Sequence, residues 1–358
     1  MNVAEVIESL VEEKGLDRDK VVEIVCNGVQ LAYERRHPGI QFVVKLNKRT
    51  TAVDVFAKKQ VVSSVANADL EISLRKARTV KMSAQVGDEV EAPFEEPIGR
   101  IEVAAARQHI ATQIRDLEQS AIYDEFRDKE GSIVSGTIHK KERVGFVVSI
   151  GDSLAFLPMS NAVSGESLRV GYPVRALLKE VLPSSRGGHQ LILDRSSADF
   201  ICKLIELEIP EVFDGLVEIK KVVRTAGYKS KVVVISNNKD IDPVGTCVGV
   251  GGARIKPILR ELGSEKIDLI SWTDDPATFV KNSLKPAEID EVEIFEDEKK
   301  AVVWLPEEQR SFAIGKGGQN IGLATELTGF AIQLQGAEGG GSQSKEEREN
   351  LFYDDQSE

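Results

Sequence analysis

A stretch of this chain is written twice. Val248-Gly249-Val250-Gly251-Gly252-Ala253-Arg254-Ile255 lies over Ile314-Gly315-Lys316-Gly317-Gly318-Gln319-Asn320-Ile321 at an offset of 66 residues. The match continues into Glu261-Leu262-Gly263 and Glu326-Leu327-Thr328-Gly329, with one residue slipped inside the helix. Each copy follows an aliphatic run, 231–236 or 301–306, and precedes another, 266–271 or 331–334. Repetition of this length means two copies of one supersecondary unit. The pattern predicts strand, helix, G-x-x-G turn, helix and strand in each copy.

The glycines say what such a unit can do. A G-x-x-G turn between two helices lets the backbone approach a ligand with no Cβ in the way. It also turns the amides of the next helix outward, where they and the helix dipole favour phosphate. Val248 and Ile255, like Ile314 and Ile321, anchor the two helices. A shallow aliphatic groove beside the loop then holds about four unstacked nucleotides, the KH arrangement. The expected RNA contacts are Gly249, Val250, Gly251 and Gly252, with Arg254 and Lys256 just after them. In the second copy they are Gly315, Lys316, Gly317 and Gly318, with Gln319 and Asn320 as donors one turn on. Only the second loop carries its own cation, so the first is expected to grip phosphate less strongly. The spacing fits neither the nucleotide P-loop nor the dinucleotide fingerprint.

Residues 131–196 have a different texture. Short apolar runs separated by Gly-rich turns, with no helical period, predict four or five strands. That is the size and rhythm of a small closed OB-type barrel of the S1 kind. Residues 131–195 hold eight basic and five acidic side chains, a net +3 in a chain of net −12. Phe146 and Phe156 are candidate base-stacking surfaces, and Lys140, Lys141, Arg143 and Arg186 candidate phosphate contacts, the combination that sequence-tolerant single-strand binding needs. The competing reading, that both rings fill the barrel, stays open, because small barrels need large apolar fillers.

The first 130 residues read as an α+β module. Val3, Ile7, Leu10 and Val11 recur at helical spacing up to Gly15, and Asp17 is placed to cap a second helix that Pro38 ends. Strand-like runs follow at 41–47, 51–62, 71–80 and 86–94. From Arg100 to about Glu130 a long helical pattern puts Ile110, Ile114, Leu117 and Ala121 on one stripe. No catalytic constellation is present. Gly151-Asp152-Ser153-Leu154-Ala155 lacks the last glycine of a nucleophile elbow. His37, His109, His139 and His189 are dispersed, with no metal-ligand spacing. Cys26, Cys202 and Cys247 form neither a disulfide framework nor a CxxC pair. No run approaches the ~20 apolar residues of a membrane helix, and the acidic start is unlike a signal peptide. The expectation is a reduced, cytoplasmic, monomeric, non-enzymatic protein that needs no cofactor or metal and has no membrane partner. A net acidic chain argues against bulk coating of nucleic acid but not against a local groove.

In this order, an α+β N-terminal module, an S1-type OB β-barrel and two tandem KH (type II) α/β units, the chain resembles the NusA family of bacterial transcription factors. The most specific stretches are Leu207-Glu208-Ile209-Pro210-Glu211-Val212-Phe213-Asp214-Gly215, Asp242-Pro243-Val244-Gly245-Thr246-Cys247-Val248-Gly249 and Ala313-Ile314-Gly315-Lys316-Gly317-Gly318-Gln319-Asn320. Asp275-Pro276-Ala277 and Leu284-Lys285-Pro286-Ala287 fit the family's bridge between KH units. The expected divisions are 1–130, 131–196, 197–284 (KH1), 285–336 (KH2) and an acidic tail over 337–358. The resemblance implies a regulator of pausing, termination and antitermination. Residues 1–130 would dock on RNA polymerase, 131–336 would meet nascent single-stranded RNA, and other antitermination factors are possible partners. Two features depart from the family pattern: Val250-Gly251 stands where a basic residue is usual, and Asp194 closes the barrel with an acid that should weaken nearby phosphate contact. The short tail implies no autoinhibition by acidic repeats. A ribosome-associated or RNA-chaperone protein made of the same parts is the alternative. An RNA-degrading enzyme is disfavoured by the absence of clustered carboxylates.

Overall fold

The computed structural model describes residues 3–47, 52–184 and 188–336. The chain divides into two units, one of Met1–Asp128 with Leu182–Gln190, the other of Lys129–Val181 with the residues from Leu191 on. In the first unit, α1 (Val3–Lys14) and α2 (Arg18–Arg36) are separated by Gly15 at φ 63°. Asp17 caps α2 as its spacing predicts, its carboxylate accepting from the Lys20 N–H at 3.0 Å. Strand β1 (Phe42–Leu46) pairs antiparallel with β2 (Val53–Val62), which pairs parallel with β3 (Glu71–Ser73). The run expected as a strand over 71–80 stops there. Leu74-Arg75-Lys76-Ala77-Arg78 are straight-chain or small helix formers, and Leu74–Val80 is helix α3. Strand β4 (Glu89–Pro93) returns antiparallel to β2, and α4 (Arg100–Phe126) follows. Ile114 is buried and Ile110 and Leu117 half-buried against α1 and α2, but Ala121, expected on the same stripe, is exposed. Helices α2 and α4 cross at Gly28, where an added Cβ would collide with Ile110.

The second unit opens with β5 (Ile133–Glu142), β6 (Gly145–Ile150), β7 (Ser153–Pro158), β8 (Pro173–Val181) and β9 (Leu191–Asp194). These strands close into a barrel in the order β5-β6-β7-β9-β8, so the expected small barrel is present. Closure satisfies every sheet edge. Gly145 allows the tight approach of β6 to β7, since a Cβ there would stand 2.7 Å from the Phe156 ring.

Two repeat modules follow. The first comprises α5 (Ala198–Glu208), α6 (Pro210–Phe213), β10 (Val217–Thr225), β11 (Lys229–Ser236), α7 (Pro243–Val248), α8 (Ile255–Leu262) and β12 (Lys266–Ser271). The second comprises α9 (Pro276–Ser283), β13 (Glu291–Phe295), β14 (Lys300–Leu305), α10 (Glu307–Ile314), α11 (Gln319–Thr328) and β15 (Ala331–Gly336). Both sheets have one topology: the middle strand is antiparallel to the first and parallel to the last. The expected division at 284 puts 276–284 in the first module, but Val280 and Leu284 are fully buried among Ala301, Val303, Leu305 and Ala324 of the second.

Strand β11 is buried along six consecutive residues. Val232 and Val234 pack against α5 and α8 of their own module. Val233, with Val223 and Ile270, packs instead against Phe279, Leu323 and Leu327 of the second module. A two-sided burial of this kind explains the continuous apolar run in place of alternation. The modules are therefore joined face to face by a shared apolar layer.

Candidate nucleic-acid interface

The two G-x-x-G turns have one backbone conformation. Gly249 lies at φ 73°, ψ 167° and Gly315 at φ 73°, ψ 176°. Gly251 and Gly317 follow at φ 61° and 63°, then Gly252 and Gly318 at φ 77° and 74°. The Gly249 N–H donates to the Gly245 carbonyl and the Gly315 N–H to the Ser311 carbonyl, both at 2.9 Å. At Gly249 a Cβ would stand 2.9 Å from Cγ of Arg254, and at Gly315 2.7 Å from Cβ of Asn320. At Gly251 and Gly317 a Cβ would meet nothing within 4 Å. The first glycine of each loop is thus required by packing as well as by φ. The second, Gly251 or Gly317, faces open space, where a ligand can come close to the backbone.

Arg254 and Asn320, expected as RNA donors, are turned to another task. Arg254 donates from Nη1 to the Thr246 carbonyl at 2.9 Å and its Nη2 is 2.7 Å from Glu211. Asn320 is 2% exposed, and its Nδ2 donates to the carbonyls of Phe312, Ala313 and Leu284, each at 3.2 Å. Thr246 and Phe312 are equivalent positions, 66 apart. One structural contact is therefore made twice by different chemistry: the residue after the turn ties the open C-terminal carbonyls of the preceding helix. For Asn320 this corrects the expectation of an RNA donor, because its Nδ2 is committed to these carbonyls and the residue is buried. Its Oδ1 accepts from Nζ of Lys229 in β11 at 3.2 Å.

Other expected contacts are better presented. Lys316 is exposed at the tip of its loop, and Lys256 is exposed in the first turn of α8, its stem against Gly252 (3.3 Å from a Cβ built there). The first loop has no cation within it, and Lys256, expected just after it, lies alongside. Val250 is 96% exposed at its tip, and Gln319 is half-buried. On the barrel, Lys140, Lys141 and Arg143 are exposed around the β5–β6 turn, with Lys140 paired to Glu142 at 3.0 Å. Phe146 is 5% exposed and belongs to the barrel interior, so it offers no open stacking face; the Nζ of Lys141 sits 5.7 Å from its ring centre. Phe156 is half-buried across Gly145. Arg186 lies outside the described residues. Four exposed aromatics lie outside the expected contacts: Tyr172 beside β8, Phe213 at the end of α6, Trp272 after β12 and Phe312 on α10. For Phe312 the signal was its place three residues before Gly315.

Two buried polar clusters hold the array. Arg195, the residue after β9, is 1% exposed and pairs with Glu166 and with Glu261 of α8. Arg224 of β10 makes a two-pronged pair with Glu265 at 2.9 and 2.8 Å and donates to the carbonyls of Arg195 and Ser197. Burial works against the charge on Glu265, yet Arg224, Ser230 and the Gly227 N–H hold its carboxyl below the usual range. Asp194 is likewise held low against its burial by Lys179 and the N–H groups of Ser196 and Ser197. The family departure at this position is thus a cap on the start of the next module. In β11, Lys229 and Lys231 share the Asp268 carboxylate at 2.7 and 2.9 Å. Burial pushes the Cys202 and Cys247 thiols up to about 11. Among the described residues no group of three or more His, Cys, Asp or Glu is placed to hold a metal, and no helix is long and apolar enough to cross a membrane.

Family models match this chain in three places. The NusA N-terminal domain matches residues 2–120, the NusA-like first KH domain 195–272 and the NusA-like second KH domain 276–340. The transcription termination/antitermination protein NusA of Bacillus subtilis is 37% identical over 328 residues, 91% of this chain and 88% of that one. Its counterpart in Halalkalibacterium halodurans is 36% identical over 329 residues, 91% of this chain and 86% of the relative. The solution structure of the N-terminal domain of NusA from B. subtilis, 30% identical, covers 33% of this chain and 98% of its own, with a TM-score of 0.27.

Proposed function

The chain belongs to the NusA family of transcription termination/antitermination proteins, and from that premise we propose that it docks on RNA polymerase through residues 1–130 and reads nascent single-stranded RNA through the barrel and both KH modules. It acts in the cytoplasm, as a monomer, on pausing, termination and antitermination. It does so by binding and without bond-making chemistry.

The observation that carries the RNA reading is the duplicated turn. Two loops of matching backbone conformation expose positive-φ glycines ahead of α8 and α11. Outward amides at the start of a helix favour phosphate. Lys316 and Lys256 add cations beside those amides, and Lys140, Lys141 and Arg143 extend the basic surface onto the barrel. Such a groove tracks a strand through its phosphates, and sequence preference comes from whatever meets the bases.

The test is transcription on a template with a hairpin pause, using purified polymerase with and without this protein. The expected result is a longer pause that disappears when residues 1–130 are deleted. No change in pausing, with RNA binding intact, would overturn the polymerase assignment in favour of a ribosome-associated or chaperone role.

A further inference from the structure

The two G-x-x-G loops share one backbone conformation, but what stands behind them differs. In the first module, Arg254 holds the Thr246 carbonyl at 2.9 Å and is itself held at 2.7 Å by Glu211, on α6 of the same module. In the second, Asn320 holds the carbonyls of Phe312 and Ala313, and its Oδ1 accepts from Nζ of Lys229 at 3.2 Å. Lys229 opens β11 of the first module. One loop is braced from within its module, the other from across the joint.

The pleat explains why the brace reaches across. Side chains alternate along a strand, so residues 229, 231 and 233 share one face of β11. Val233, on that face, packs against Phe279, Leu323 and Leu327 of the second module, whereas Val232 and Val234 face α5 and α8. Lys229 thus points at the second module and away from the helices of its own. It is only 8% exposed, and Asp268 of β12, 2.7 Å away, fixes its ammonium. An ammonium has donors only, so it takes Oδ1 of Asn320 and leaves Nδ2 to the carbonyls. Cβ of Asn320 would lie 2.7 Å from a Cβ on Gly315, so a shift of this side chain is felt at the first glycine of the loop.

The far end of α11 is held in the same manner. Lys221 of β10 donates to the carbonyls of Glu326 and Leu327 at 2.7 and 2.8 Å, supplying partners to open acceptors of the last turn. Between the two ends, Leu323 and Leu327 lie on Val223, Val233 and Ile270. Helix α11 is therefore laid on the first module's sheet and tied at both ends by lysines of that sheet.

We propose that the first KH module positions the second G-x-x-G loop for RNA, with Lys229 as the positioning residue and Lys221 seating the far end of α11. The inference rests on the RNA-binding reading above and gives it a direction. The grip of the second loop on phosphate depends on a buried side chain of the other module, while the first loop is braced by its own.

The experiment uses the full chain. Lys229→Met keeps the aliphatic stem and removes the ammonium, and Asp268 retains Lys231 at 2.9 Å. In the free protein, hydrogen exchange should quicken at the Gly315 and Gly318 amides, which donate to the Ser311 and Gly315 carbonyls, and stay unchanged at Gly249 and Gly252. Unchanged exchange at the second loop, or equal gains at both, would overturn the proposal. Binding of single-stranded RNA of randomised sequence, followed by fluorescence anisotropy, should weaken roughly fivefold. The same loss is expected when the first loop is disabled by Val250→Asp with Gly251→Asp. No further loss is expected when the second is disabled by Lys316→Asp with Gly317→Asp, because effects that act through one loop do not add. Equal losses in both backgrounds would mark general destabilisation or a direct phosphate contact, and would overturn the positioning role while leaving the RNA reading intact. Lys221→Met, at an exposed position, should give the same pattern more weakly, and it carries the test if Lys229→Met does not fold. Failure of the wild-type chain to bind the RNA would overturn the RNA reading and, with it, the purpose assigned to the brace.

Discussion

Gly315 and Gly317 are two residues apart, both at positive φ, and they should tolerate substitution very differently. Gly317 lies at φ 63°, ψ 26°, a left-handed conformation that Asn adopts, with open space around it. Gly315 combines φ 73° with ψ 176°, a region open essentially to glycine alone, and has Asn320 against it. Gly317→Asn should therefore leave thermal stability nearly unchanged, while Gly315→Asn should cost about 2 kcal/mol or more, read by chemical denaturation. For binding the order reverses in kind. Lys316→Asp with Gly317→Asp should weaken RNA binding more than Val250→Asp with Gly251→Asp, since only the second loop carries a cation within it. Equal losses in a filter-binding titration would contradict that ranking. Arg254 and Asn320 have the chemistry of ligand donors, but the carbonyls that use it, at 246 and 312, lie one helix back and come near only when the turn folds. Phe146 could be given its place only by knowing which way β6 faces.

At the scale of elements, the repeat made most of the second unit legible, because each strand and helix in one copy constrained its partner in the other. Strand β12 falls on the predicted 266–271, and Asp17 caps α2 as read. What escaped depended on distant contacts. Strand β13 alternates exposed glutamates with half-buried residues and is defined by its pairing to β14. Helix α9 joins the second module only because Val280 and Leu284 find that core. Strand β3 gives way to α3 where propensity, not hydrophobic alternation, decides. Two substitutions probe these contacts. Asn320→Ala removes the donor from three helix-end carbonyls and the acceptor from Lys229, and should cost about 1–3 kcal/mol. Arg254→Ala should cost less, because its half-exposed site admits water. In the first unit, Gly28→Val forces α2 away from α4 at Ile110 and should lower stability by about 1–3 kcal/mol, measured by thermal unfolding of the whole chain.

For the whole molecule, charge is distributed by role. The barrel segment is the positive one, whereas residues 285–335 and the last 23 residues each carry −5. Binding to RNA should accordingly be salt-dependent with a modest slope, since few phosphates are neutralised. The joint between barrel and first KH module should respond to acid. Glu265 and Asp194 have folded pKa values below their ordinary ones, so the stability they supply is complete above the ordinary carboxylate range near pH 4–5. It is lost as pH falls through the depressed values. Melting temperature should drop across that window, and Glu265→Gln should flatten the drop while lowering stability at neutral pH. A melting temperature independent of pH between 5 and 3 would show that the pair contributes nothing.

Strand β11 faces two cores at once, and this bears on how such proteins can be taken apart. A first KH module cut away at residue 275 would carry Val223, Val233 and Ile270 into water, together with two lysines that share one aspartate. A second module expressed alone would bare Phe279, Leu323 and Leu327. Each fragment would bare an apolar face, so the smallest unit that keeps this layer buried is the tandem. Duplication here has produced a single inheritable part with two reading heads, and one head cannot be grafted elsewhere or lost without exposing half of what holds the other.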